Sequence, residues 1–158
     1  MPDNANLTPE STALGFFDAI NTKDFAKLER LLSPALVTEK GSSRDNVLSN
    51  LKMFSSGFDD LHFRTDNVFR DGPNVAIRWT MTGTHTAPFS VYKEATGNKI
   101  DHQGVALFRV ENGAITEYWP GTDRSRVSAQ INGTAPAVQS ATNRVLQERF
   151  ATPAALAK

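Results

Sequence analysis

Asn74-Val-Ala-Ile-Arg-Trp-Thr-Met-Thr-Gly-Thr-His-Thr86, then Lys99-Ile-Asp-His-Gln-Gly-Val-Ala-Leu-Phe-Arg-Val110, then Ala114-Ile-Thr-Glu-Tyr-Trp-Pro120 are the segments that decide the fold. In the first, Val75, Ile77, Trp79 and Met81 share one face. Arg78, Thr80, Thr82 and Thr84 share the other. That alternation is the signature of a strand with one face on a core. In the second, Ile100, His102, Gly104, Ala106, Phe108 and Val110 fall on one face. Val105 and Leu107 lie opposite, among Asp101, Gln103 and Arg109. Asn112-Gly113 separates the second segment from the third and is a strong hairpin turn. The three segments read as an antiparallel meander.

Upstream, Leu61, Phe63, Thr65, Asn67 and Phe69 alternate with His62, Arg64, Asp66 and Val68, which predicts a further strand ending at Asp71-Gly72-Pro73. Before it the period is helical. Thr8-Pro9 starts a helix, with Leu14, Phe17 and Ile20 at helical spacing. A second short helix carries Phe25, Leu28, Leu31 and Leu32 and stops at Ser33-Pro34. A short strand follows over residues 35–39. Ser42-Ser43 caps a third helix striped by Val47, Leu48, Leu51 and Phe54 and ended by Gly57. Asp123 suits a cap for a helix after the meander, and residues 137–150 suit a last helix. Helices first and strands afterwards predict an α+β domain, with helices packed on one face of a curved, mostly antiparallel sheet. One domain over residues 1–158 is expected, with a core at about 9–125 and a C-terminal extension over 126–158.

Composition narrows the chemistry. The chain of 158 residues has no cysteine, which excludes disulfides, thiolate metal sites and cysteine nucleophiles. Lysine plus arginine total 17, as do aspartate plus glutamate, so no basic field recruits nucleic acid or anionic lipid. No apolar run approaches the roughly 18 residues of a membrane span. The first eight residues lack a secretory apolar core. A soluble cytoplasmic protein is the expectation. Three histidines with no carboxylate at ligand spacing predict no metal.

Several words in order carry a family resemblance. They are Phe17-Asp-Ala-Ile-Asn21 with Asp24-Phe25, Phe58-Asp-Asp-Leu-His-Phe63 and Arg78-Trp79-Thr80 with Gly83-Thr-His-Thr86. Ala95-Thr-Gly97 follows, then Phe108-Arg-Val-Glu-Asn-Gly113 leading to Tyr118-Trp119. Together they resemble the SnoaL-like polyketide cyclase branch of the nuclear-transport-factor-2-like superfamily. The resemblance implies a cone-shaped barrel, a strongly curved sheet wrapped around helices with a pocket at one end. It implies cofactor-independent proton-transfer chemistry, and pairing of two copies through the outer sheet face. Val105 and Leu107, with Ile115 or Trp119, fit that pairing; cover by the C-terminal helix in a monomer is the competing reading. The resemblance places the family's acid/base aspartate at Pro120 and its partner histidine near Ala106, so neither group is present. The aspartate–arginine–aspartate set of epoxide-hydrolase members falls on Trp79, Met81 and Pro120, which disfavours that chemistry too.

The remaining candidates for catalysis are His102, His85 and Tyr118. Setting Trp79 opposite Phe108 places His85 opposite His102, close enough for one imidazole to accept a proton while the other donates one. Each has a plainer reading. His85 suits a solvent-facing rim, His102 a hydrogen-bonded structural role, and Tyr118 points outward under strict alternation unless a bulge turns it in. Phe16, Phe54, Trp79, Met81, Ala106, Phe108 and Pro120 are the expected pocket wall. The expected ligand is a hydrophobic or aromatic carbonyl or phenolic compound undergoing cyclisation, isomerisation or elimination. The alternative is a non-catalytic binding or accessory protein.

Overall fold

The computed structural model describes residues 7–135. The helix expected over 137–150 lies outside them. Three helices come first: α1 (Pro9–Asn21), α2 (Phe25–Leu31) and, after strand β1 (Leu32–Thr38), α3 (Arg44–Ser56). The strands β2 (His62–Asp71), β3 (Asn74–Thr84), β4 (Lys99–Glu111) and β5 (Ala114–Gly121) follow, then α4 (Arg124–Ile131). This is the expected α+β order.

The helix ends are set by the residues the sequence offers. Thr8 accepts the Ser11 amide, Asp24 that of Lys27, Ser43 that of Asn46 and Asp123 that of Arg126. Each satisfies an amide that a helix start leaves unpaired. Phe16, Phe17 and Ile20 bury the inner stripe of α1 against the sheet. Each such side chain contributes roughly 1.5–3 kcal/mol. At the end of α1, Asn21 clamps the edge strand. Its Oδ1 accepts the Phe63 amide at 2.7 Å and its Nδ2 donates to the Phe63 carbonyl at 2.8 Å.

The strands form one sheet in the order β1-β5-β4-β3-β2. It is not closed: β1 and β2 are edges, so the barrel expected from the resemblance is an open sheet. β1 pairs parallel to β5; the other pairs are antiparallel. Asn112 and Gly113 both take positive φ, 51° and 75°, as the tight β4–β5 turn requires.

Three features correct the pattern read from sequence. In β2 an extra residue at Asp66 shifts the register between Thr65 and Asn67. Beyond it Val68 turns to the core and Phe69 turns out, reversing the strict alternation. In β5, Arg109 pairs with Glu117 but Val110 with Ile115, so a bulge at Thr116 brings both Ile115 and Tyr118 inward. Ile115 is therefore core and does not join the outer face. The third feature is the β3–β4 register. Trp79 lies opposite Gly104, four residues from the expected partner Phe108. A Cβ at Gly104 would meet the Trp79 ring at 2.3 Å and the Gly121 carbonyl oxygen at 2.3 Å. Only glycine lets the indole lie across β4 at that point.

Replacing Gly104 with alanine should therefore destabilise the fold by about 1–3 kcal/mol, the usual cost of overpacking. Urea unfolding should show a lower midpoint with an unchanged m-value. An unchanged midpoint would show that the indole does not depend on this gap.

Candidate functional site

Between the helices and the inner face of the sheet lies a cavity of about 560 Å³. Its wall has two characters. Phe16, Phe17, Phe63, Trp79 and Met81 make an aromatic, apolar side backed by β2 and β3. Thr38, Glu39, Lys40, Tyr118, Thr122 and Arg124 make a polar side where β1 and β5 end and α4 begins. Phe54 lines α3's contribution. The loop between β3 and β4 closes part of the chamber. Phe89 and Tyr92 exchange two backbone hydrogen bonds, and Tyr92 Oη lies 2.7 Å from Ser128 Oγ on α4. Gly57 makes room for this segment, because a Cβ there would meet Phe89 at 2.2 Å.

Of the expected wall, Phe16, Phe54, Trp79, Met81 and Pro120 face the cavity, and so does Tyr118. Ala106 and Phe108 are on the same sheet face but are packed in the core outside the lining. Ala106 and Pro120 are direct ladder partners, so the two positions where the resemblance placed an acid/base pair do adjoin, without the groups.

Tyr118 is 9% exposed and wedged between Phe16 and Phe108, with ring centroids at 4.8 and 5.4 Å. Among the described residues its hydroxyl has no hydrogen-bond partner. Burial pushes the phenol's pKa up, with Arg124 opposing and Glu39 adding to the shift. The hydroxyl is thus a protonated donor beside one cation and one carboxylate. Glu39 is the only carboxylate among the described lining residues. It was missed in the sequence because it follows a short strand whose end no motif marks.

The two histidines do not meet. The observed register puts Met81 opposite His102, while His85 lies beyond β3, its amide bonded to the Asn98 carbonyl at 2.9 Å. Both rings belong to the inner side, yet four residues of extended chain, on the order of 13 Å, separate their positions. Neither lines the cavity. His102 packs on Trp79 at 5.7 Å, and its Nε2 accepts the Asp123 amide at 3.2 Å. Burial lowers its pKa; Asp123 and Asp101 oppose that shift and Arg126 adds to it. His85 is fully buried rather than on a rim. Its Nδ1 accepts the Thr96 amide at 3.1 Å, which leaves the proton on Nε2. That Nε2 is buried with no hydrogen-bond partner, inside a ring of Phe58, Phe89 and Tyr92. Among the described residues, no group of three or more histidine, aspartate or glutamate side chains is placed to hold a metal ion. No helix among them is long and apolar enough to cross a membrane.

The model of the SnoaL-like polyketide cyclase family matches residues 11–131, and the chain belongs to that family. Among solved structures it is similar to IdmH from Streptomyces antibioticus, at 24% identity and a TM-score of 0.70, covering 80% of this chain and 99% of that one. It is also similar to AclR from Streptomyces galilaeus, at 23% identity and a TM-score of 0.71, covering 81% and 97%. A SnoaL-like polyketide cyclase from Agrobacterium tumefaciens aligns at 17% identity and a TM-score of 0.65, covering 78% and 98%. At these identities the likeness speaks for the fold. No curated protein matches the chain. Family membership supports a cofactor-independent role of cyclase or isomerase type and leaves the substrate and the bond open.

The lowered His102 pKa has a consequence for stability. The unfolded chain, with histidine near 6.5, binds more protons than the folded chain just below that pH. Stability should be fully present above about pH 6.5 and lost as the pH falls through it. Melting temperatures from pH 7.5 to 5.5 should fall for the natural sequence and fall less steeply for His102→Gln. Parallel slopes would show that His102 is not held in its neutral form.

Proposed function

We propose that the cavity binds a hydrophobic aromatic carbonyl compound and moves a proton on it, as in cyclisation, isomerisation or elimination. One observation carries this reading: a protonated tyrosine hydroxyl, with no hydrogen-bond partner among the described residues, stands in the cavity wall facing an aromatic side. That donor opens into the cavity, where it is free for a ligand acceptor. Tyr118 would donate to the oxygen of a developing enolate. Glu39 would accept the carbon-bound proton, being the carboxylate on the same wall. His102 is the second candidate for the base, although it is packed on Trp79 outside the cavity lining. It would first have to give up the Asp123 amide at Nε2. His85, enclosed by Phe58, Phe89 and Tyr92 outside the cavity lining, takes no part in this scheme.

Proton exchange tests this without knowledge of the natural substrate. With 2-tetralone, an enolisable aromatic ketone, in deuterated buffer, NMR should show faster α-hydrogen exchange with protein than without. Glu39→Gln should lower the catalysed rate by about 10²–10⁴. Tyr118→Phe should lower it by about 10²–10³. His102→Gln should change it only a few-fold; a large loss there would make the histidine the base. Binding with no exchange above buffer would favour the alternative, a non-catalytic binding or accessory protein, which the absence of an acid/base group at Pro120 and Ala106 accommodates.

We further propose that two copies pair through the outer sheet face. Phe69, Ala76, Leu107 and Trp119 are consecutive ladder partners across β2, β3, β4 and β5. Phe69, Leu107 and Trp119 are 65%, 49% and 39% exposed, and Val105 adjoins them. A continuous apolar row of this kind marks an interaction surface. Light scattering should give a dimer mass for the natural chain and a monomer for Leu107→Glu. A monomeric natural chain would overturn the pairing.

A further inference from the structure

The cavity wall is electrically lopsided. Its β2–β3 side is aromatic and uncharged, whereas its β1–β5 side carries Glu39, Lys40 and Arg124, exposed at the cavity mouth on the same wall as Tyr118. None of these three charges belongs to an ion pair among the described residues. Two cations against one carboxylate leave an excess positive charge at the polar end. Both charges that act on the Tyr118 phenol, Arg124 and Glu39, come from this set. The placement follows from topology. Thr38 pairs with Tyr118 at the end of β1, so residues 39 and 40 emerge beside the phenol. Asp123 caps α4, so Arg124 enters at that helix's first position.

We propose that the ligand of this cavity is an anion: a flat aromatic compound bearing a carboxylate, with its rings against Trp79 and Phe16 and its carboxylate toward Arg124 and Lys40. The inference rests on the reading that this cavity is the ligand site, and adds the charge of what enters. A carboxylate there gains charge-assisted hydrogen bonds from the two cations. The neutral analogue gains the stacking alone. Glu39 then acts as a counterweight that weakens the anion and leaves the neutral analogue unaffected.

The test uses anthraquinone-2-carboxylate and anthraquinone-2-carboxamide, which differ in charge and little in shape. The chain has two tryptophans, Trp79 in the cavity wall and Trp119 on the outer face. In a Trp119→Phe background, quenching of the remaining indole reports binding inside the cavity. The carboxylate should bind about tenfold more tightly than the carboxamide at low salt, and the gap should narrow as salt rises. Lys40→Gln with Arg124→Gln should bring the carboxylate to the affinity of the carboxamide. Glu39→Gln should tighten the carboxylate and leave the carboxamide where it was. Equal affinities in the natural wall, or a preference that survives the double substitution, would overturn the charge inference alone. Failure of both compounds to quench Trp79 would overturn the cavity reading with it.

Discussion

An indole lies across a strand that carries no side chain beneath it, and the inner face of the sheet is organised around that contact. Trp79 needs the gap at Gly104, and the gap exists at one position of β4. A slip of two residues along the ladder would keep every side chain on its face yet drive the ring into Ala106 or His102. Sheet parity alone cannot choose between such registers; steric fit does. Once chosen, the register sets Met81 against His102 and holds His85 beyond the end of the strand. It thereby decides which polar groups can cooperate.

The chamber above that contact is shaped by chain ends more than by strand centres. Strand centres bury apolar side chains because their backbone groups are paired and need no polar neighbours. At strand ends the backbone turns, caps are required and exposed charged residues can border the cavity mouth. The β1 end, the β5 end and the start of α4 coincide in space, so Glu39, Lys40, Arg124 and the Tyr118 hydroxyl converge on one wall. The opposite wall consists of mid-strand and mid-helix aromatics. A ligand with one greasy end and one polar end matches this division.

Much of the scaffold was legible because its signals are local. Thr8 and Ser43 announce helix starts through their side-chain oxygens, Asn112-Gly113 announces a turn through its tolerance of positive φ, and the period of apolar residues separates helices from strands. What failed was non-local. The bulge at Asp66 leaves no mark in β2, since either phase offers apolar residues. The β3–β4 register depended on matching a ring to a glycine across a long loop. Gly104 was in view as an inner-face residue, and the pairing of the bulkiest side chain with the only absent one was the available clue. The site suffered accordingly. The histidines were placed together by the wrong register, and Glu39 was overlooked because nothing near it in the chain suggests a cavity. Tyr118 was ambiguous until the bulge at Thr116 turned it inward.

The extra residue in β2 has an effect on the other side of the molecule. By shifting the phase of the strand at Asp66, it hands Phe69 from the interior to the exterior, where it extends the apolar row through Ala76 and Leu107 to Trp119. An edge irregularity thus enlarges the exposed apolar row on the outer sheet face. A homologue that lost that single residue would tuck its aromatic back inside, so kinship in fold need not bring kinship in assembly.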